Sequence, residues 1–306
     1  MTCQYFREFD MLTALDHECI VKYYDLIETN YENQETQENQ ETQENQETQD
    51  NQENQETQEN QHEIASETNS ITQPLLPSSP TSSLSSYSSA GVKDGKIYLV
   101  MEWLGEGCNL SSWIGATREN RNLDSVRCIL KKLFEAVEYL RTVQISHHDI
   151  KLDNVIFNET EQTVKLIDFG VSEPCPDDES FCAFGTPAYQ APEILTRSDP
   201  SKPISGHKSD MWSLGVVAYQ LANPDGRLPF EGESVMEVFD GIIHDKPDFS
   251  IITNDKLRDL IKGLLKKNPK KRLTASEALN HPFLTGDTGT WYLNCICKAF
   301  KSIFTL

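Results

Sequence analysis

Apolar residues between positions 126 and 140 fall at Val126, Leu130, Leu133, Val137 and Leu140, in steps of four, three, four and three. Residues so spaced share one stripe of a helix with 3.6 residues per turn. The pattern therefore predicts an amphipathic helix that buries this stripe, with Asp124 placed to cap its start. Ile97-Tyr98-Leu99-Val100-Met101 follows a different rule, an unbroken run of apolar and β-favouring side chains that predicts a buried strand. Val155–Phe157 and Val164–Ile167 predict two further short strands, and Phe9, Leu12 and Leu15 a helix leading into an extended stretch from Val21 to Ile27. Helical spacing dominates from Lys208 to Leu279. Mixed helix and strand followed by mostly helix predicts an α+β chain.

One long stretch has neither pattern. From Asn33 the unit Asn-Gln-Glu-Thr-Gln-Glu repeats, with a slip at Asn51–Glu53, and a Ser/Pro/Thr-rich segment continues to Gly91. Nothing in the repeat is apolar, so it has no face to bury and cannot offset the entropy of ordering. Residues 30–91 are expected to be one disordered insertion, either a solvated loop lengthened by repeat expansion or a segment with a regulatory or aggregation-prone role. The insertion also explains much of the charge. The formal net charge is −21, yet twelve of the acidic residues lie between Glu32 and Glu67, and 30–91 contains no Lys or Arg. An acidic chain excludes a nucleic-acid binder held by bulk charge. No window reaches the roughly 18 apolar residues of a membrane span, and residues 1–12 lack the features of a signal peptide. The eight cysteines form no CxxC pair, which points to reduced thiols and a cytoplasmic location.

The chemistry lies between the predicted long helix and the two short strands. His147-His148-Asp149-Ile150-Lys151-Leu152-Asp153-Asn154 is followed, eleven residues after Asn154, by Lys165-Leu166-Ile167-Asp168-Phe169-Gly170. Two loops joined by a hairpin can gather the carboxylates, amide and amine of Asp149, Asp168, Asn154 and Lys151 around one point. Such a set suits phosphoryl transfer, in which charge spreads over the oxygens of the moving group and one base, one cation and metal-binding oxygens suffice. In that reading Asp149 accepts the proton of the substrate hydroxyl, Lys151 neutralises the γ-phosphate, and Asn154 and Asp168 hold Mg²⁺.

At these residues the chain resembles the eukaryotic protein kinases. Further blocks follow in the family's order: Gly185-Thr186-Pro187-Ala188-Tyr189, Ala191-Pro192-Glu193, Ser209-Asp210-Met211-Trp212-Ser213-Leu214-Gly215, and Asn268-Pro269 with Arg272. The resemblance implies a two-lobed α+β fold with a truncated small lobe and a mainly helical large lobe. It also implies ATP and Mg²⁺ as cofactors and protein hydroxyls as substrate. Asp210 would hold the catalytic loop and Glu193 would pair with Arg272. Lys151 and Thr186 resemble the serine/threonine branch. Residues 184–189, 204–210 and 228–232 most resemble the calcium/calmodulin-dependent protein kinase kinases and the related upstream activators of AMP-activated kinase. Met101 would be the gatekeeper, Glu102, Trp103 and Leu104 the hinge facing adenine, and Ile156 the floor beneath the base. Leu12, Tyr23, His147 and Phe169 would stack as the column of an assembled active state, although ordinary core packing would make the same positions apolar.

The chain departs from the family in three places. The Gly-rich strand pair and the strand Lys are missing, and Glu8, where the family's helix Glu stands, is preceded by only seven residues. The expectation is a native chain that is longer at this end. In place of the usual Arg stands His148, and Asp177-Asp178-Glu179 already bring negative charge to the activation loop, so phosphorylation there is expected to be unnecessary. The third departure is the tail: Trp291, Phe300 and Phe304, with Lys298 and Lys301, have the anchor spacing of a calmodulin-binding helix over 291–304, while Tyr292, Ile296, Phe300 and Ile303 equally suit packing on the large lobe. Palmitoylation of Cys295 or Cys297 is a further option. The expected organisation is a small-lobe remnant (1–29), the insertion (30–91), the rest of the kinase domain (92–285) and the tail (286–306). The expected function is a serine/threonine protein kinase, with a pseudokinase that scaffolds or allosterically regulates a partner as the rival and an interaction protein built on the Gln/Asn tract as a third class.

Overall fold

The structure is a computed structural model that describes Phe9, residues 12–29 and residues 96–286. Glu8, the insertion and the tail beyond Gly286, with its calmodulin and palmitoylation options, lie outside the described residues. Phe9, Leu12 and Thr13 are helical, as the spacing predicts, but the helix ends before Leu15. The chain divides into two compact units, with breaks after Asp25 and before Val100, and the candidate site residues Asp149, Lys151, Asn154 and Asp168 lie within the larger one.

Strands β1 (Tyr23–Thr29) and β2 (Lys96–Met101) pair with each other. Then come β3 (Cys108–Asn109), helix α1 (Leu110–Ala116) and the long helix α2 (Leu123–Thr142). The predicted stripe of α2 is buried, extended by Ile129, Phe134 and Ala136. The cap is not Asp124. Asn122 is extended (φ −76°, ψ 127°) and its side chain accepts the N–H of Asp124 at 2.9 Å, so Asp124 sits in the first turn, where a carboxylate favours the helix dipole. At the other end Arg141 lies in the last turn, and Gln144 turns the chain with φ +57°.

Four small strand pairs position the loops that follow. After α2, β4 (Ile145–Ser146) leads into the catalytic loop, which ends at β5 (Val155–Asn158). A hairpin then gives β6 (Thr163–Leu166), with Val155 opposite Leu166 and Ile156 opposite Lys165, and β3 completes this antiparallel sheet on the far side of β5. The linker before β1 joins β6 as well: Leu166 N donates to Cys19 O at 2.8 Å and Val21 N to Leu166 O at 3.0 Å. β7 (Glu173–Pro174) pairs back on β4, and β8 (Glu179–Ser180) pairs with β9 (Ile204–Ser205). The segment after Asp168 is thus stitched to the strand that precedes the 147–154 loop and to the entry of the central helix.

The helical part comprises α3 (Pro192–Leu195), α4 (Gly206–Ala222), α5 (Val235–His244), α6 (Asp255–Leu264), α7 (Ala275–Leu279) and α8 (Pro282–Thr285). Helix α4 is buried on every side, including Trp212, Leu214, Val216, Val217 and Ala218, so it lacks the polar face of a surface helix and acts as the axis of the core. Trp212 stacks on Phe230 with centroids 6.0 Å apart, and the Arg272 guanidinium lies 5.2 Å from its ring centre. The expected order, mixed helix and strand followed by mostly helix, is the observed one. Among the described residues no helix is long and apolar enough to cross a membrane.

Candidate active site

The loop from His147 to Asn154 is held by its backbone. Buried Asp210, on α4, accepts the N–H of His147 at 2.8 Å through one carboxylate oxygen and the N–H of His148 at 2.9 Å through the other. These bonds hold His148 at φ +65°, an arrangement a non-glycine residue adopts only under constraint. His147 is fully buried. Its Nδ1 accepts the N–H of Asp149 at 3.2 Å, so Nε2 carries the proton and donates to Ile167 O at 3.1 Å, while the ring packs 4.6 Å from Phe169. Leu12 and Tyr23 are buried too.

Asp149 is the centre of the cluster. One carboxylate oxygen accepts from Lys151 Nζ at 2.6 Å and Asn154 Nδ2 at 3.1 Å, and the other from the N–H and hydroxyl of Thr186 at 2.9 and 2.7 Å. Lys151 Nζ also donates to Thr186 Oγ1 at 3.0 Å, and Asn154 Nδ2 to Asp149 O at 2.9 Å. Burial alone would push the Asp149 carboxyl up, but the hydrogen bonds from Lys151 and Thr186 outweigh it and hold the group below its ordinary value. Asn154 gives its N–H groups to Asp149, which leaves its carbonyl oxygen for a cation. Asp168 directly follows Ile167, whose N–H donates to Asn154 O at 3.0 Å. It has φ +63°, a region Asp tolerates better than most residues, and its carboxylate is exposed with one oxygen near Gly170 N at 3.3 Å.

Gly185 explains how Thr186 comes so close. Its φ is +123°, and a Cβ there would lie 2.5 Å from His148 O, so the segment can press on the catalytic loop only with glycine at this position. Below it, Arg272 meets both carboxylate oxygens of Glu193 at 2.7 and 2.8 Å, with its side chain fully buried. The hinge residues are placed but not gathered around Asp149. Met101 and Trp103 are largely exposed, Leu104 and Ile156 half-buried. The backbone N–H of Glu102 is occupied by Lys22 O at 2.8 Å. Its side chain accepts from Lys22 N and from Lys165 Nζ, both at 2.7 Å. Lys165 is a residue the sequence did not single out. Its partner lies 63 positions away, and no local signal connects the two.

His148 is equally non-local: its Nε2 lies 3.3 Å from Ser180 Oγ and 3.6 Å from Glu173 Oε1, and Ser180 is buried.

Burial holds the His147 imidazole below its ordinary value of 6.5, against the opposing pull of Asp210, the Ile167 carbonyl, Asp149 and Asp168. The folded chain keeps the ring neutral, whereas the unfolded chain takes up a proton below pH 6.5. Stability is therefore lost as pH falls from the unfolded value toward the folded one, by up to about 1.4 kcal/mol per pH unit for this group. The thermal midpoint is expected to fall between pH 7 and pH 5.5, and His147→Phe should flatten that slope while lowering stability at pH 7. An unchanged slope in the variant, followed by calorimetry, would assign the loss to other groups.

A protein kinase domain model matches residues 51–284. A probable serine/threonine-protein kinase of Dictyostelium discoideum is 37% identical over 65% of this chain and 27% of its own length. The serine/threonine-protein kinase PLK4 of Nematostella vectensis is 34% identical over 64% of the chain and 19% of its own, and calcium-dependent protein kinase SK5 of Glycine max 36% over 62% and 37%. The chain belongs to the protein kinase family, and the Dictyostelium and Nematostella relatives are named as serine/threonine-protein kinases. The matched region spans well under half the length of these three relatives.

Proposed function

We propose that this protein is an ATP- and Mg²⁺-dependent serine/threonine protein kinase with Asp149 as its base. The observation that carries the reading is the closed set of bonds among Asp149, Lys151, Asn154 and Thr186. Asp149 is kept ionised, so it is ready to take the proton of an incoming Ser or Thr hydroxyl. Lys151, already on the same carboxylate, is placed to offset charge that builds on the transferred group. Asn154 Oδ1 and the exposed Asp168 carboxylate are hard oxygen donors, the chemistry Mg²⁺ prefers. ATP with Mg²⁺ would supply the transferable phosphoryl group and the cation that neutralises it. Met101, Glu102, Leu104 and Ile156 would receive the base. Glu102 offers its carbonyl rather than its N–H, because that N–H is bonded to Lys22.

Within the family, residues 184–189, 204–210 and 228–232 support a place near the calcium/calmodulin-dependent protein kinase kinases, with residues 30–91 inserted into the domain and 286–306 as its tail. The described cysteines are all free, which suits a reducing cytoplasm. The test is transfer of radiolabel from γ-labelled ATP to Ser and Thr of a generic acceptor protein. Label should appear with Mg²⁺ and vanish with a chelator. No transfer, with nucleotide binding weak or absent, would favour the scaffolding pseudokinase.

A further inference from the structure

A second cluster of reactive side chains lies on the segment after Asp168 and owes nothing to the phosphoryl-transfer set. Cys175 Sγ, an Asp178 carboxylate oxygen and a His207 ring nitrogen all lie within 4.8 Å of one another, with Cys175 and His207 buried and Asp178 half-buried. The backbone is shaped to bring them together. Asp177 and Asp178 both adopt positive φ, at +56° and +63°, and Asp178 N turns back to Cys175 O at 3.2 Å. The Asp178 carboxylate then reaches the start of α4, accepting the N–H of His207 at 2.9 Å and the hydroxyl of Ser205.

The remaining bonds form a consistent proton arrangement. Ser146 Oγ lies 3.2 Å from His207 Nδ1 and also hydrogen-bonds the Cys175 sulfur, which takes a further bond from the backbone of Gly206. If His207 Nδ1–H donates to Ser146 and Ser146 O–H donates to sulfur, His207 Nε2 is left as a lone pair. That nitrogen stands 4.0 Å from Asp178 Oδ1. The gap is too long for a hydrogen bond, but two ligands at about 2.0–2.2 Å from one ion can span it after a small inward shift. Burial pushes the Cys175 thiol up against the two hydrogen bonds on its sulfur, so the sulfur carries its proton until an ion displaces it. A Cβ at Gly206 would stand 2.5 Å from Ser146 Oγ and 2.7 Å from the sulfur, so only glycine lets the backbone approach. A cavity of about 290 Å³ borders all three residues. The cations on its wall are already bonded elsewhere, Arg141 to Glu138 and Lys208 to the Arg272 carbonyl.

We infer that Cys175, Asp178 and His207 bind one zinc-type divalent cation, with a water from the cavity as fourth ligand, and that the ion clamps the activation segment to α4. Thiolate, neutral imidazole and carboxylate form a borderline-soft set that suits Zn²⁺ over Mg²⁺, and binding releases the thiol proton to solvent. Ser146, which orients the imidazole through Nδ1, is the positioning residue. Among the described residues a second grouping of this kind, Glu18, Cys19 and Glu135, has no imidazole, and Lys132 Nζ already sits 3.4 Å from Glu18.

The test uses the full chain, stripped with chelator, desalted and given one equivalent of Zn²⁺ or Co²⁺. Wild type should retain one ion per chain, melt at a higher temperature than its stripped form, and show a thiolate-to-cobalt absorption band. Cys19→Ser should keep the band, Cys175→Ser and Asp178→Asn should lose it, and Ser146→Ala should bind about 10–100-fold more weakly. Asp178→Asn keeps shape and thiol, so it decides the matter if Cys175→Ser does not fold. A wild type that holds no ion, or an Asp178→Asn protein with an unaltered cobalt spectrum and affinity, would overturn the inference.

Discussion

Asp149→Asn is expected to lower the rate of phosphoryl transfer by about 10²–10⁴-fold, the usual contribution of a positioned base, while the KM for ATP stays within a few-fold of wild type. The asymmetry follows from geometry. The carboxylate touches Lys151, Asn154 and Thr186 but none of the residues proposed to receive the purine. An amide in its place can still accept from Thr186, but it turns an N–H toward the ammonium of Lys151 and can take no proton from a hydroxyl. Because the hydrogen bonds hold the Asp149 carboxyl below 3.8, it stays ionised across the neutral range, and its protonation should put no acid limb on the rate between pH 6 and pH 8. Steady-state kinetics on wild type and variant would check both statements. A variant that keeps more than a tenth of the rate would remove Asp149 from the role of base.

The largest expected loss of stability comes from Glu193→Ala, at about 3–5 kcal/mol, the range for removing one partner of a buried ion pair. Arg272 is fully buried and engages Glu193 through two nitrogens. The carbonyls of Lys266 and Lys208 share its remaining donors but carry no charge. Without Glu193 the cation stays beside Trp212 with nothing to neutralise it. For a domain of this size the loss corresponds to a fall of roughly 6–20 °C in the thermal midpoint. The double variant Glu193→Leu with Arg272→Met should recover much of it, since an apolar pair carries no buried charge. A midpoint within 2 °C of wild type for Glu193→Ala would show that solvent reaches the guanidinium.

What the sequence makes legible is what depends on neighbours a few residues apart. The stripe of α2, the strands flanking the catalytic loop and the Asp149-Lys151-Asn154 triplet can all be read from spacing within short windows. The cap of α2 is a near miss of the same kind: Asn122 and Asp124 are both capping types two positions apart, and only the extended backbone at Asn122 decides between them. Other features escape because their partners are distant in sequence. Lys165 meets Glu102 across 63 positions, and the two-residue strands β4, β7, β8 and β9 lie beside the pairings of His148 with Ser180 and Glu173 and of Cys175 with His207. Strands that short leave no periodic trace.

Asp210 grips main-chain N–H groups and no side chain of the catalytic loop. An anchor of that kind is indifferent to the identity of the residues it fastens. Position 148 can therefore change without altering where Asp149 points, provided its residue tolerates a left-handed backbone, whereas His147 accepts the Asp149 N–H through its own ring and is not interchangeable. The histidine at 148 is in this sense a free variable: a different side chain there would change what meets Ser180 and Glu173 while its N–H keeps the bond to Asp210.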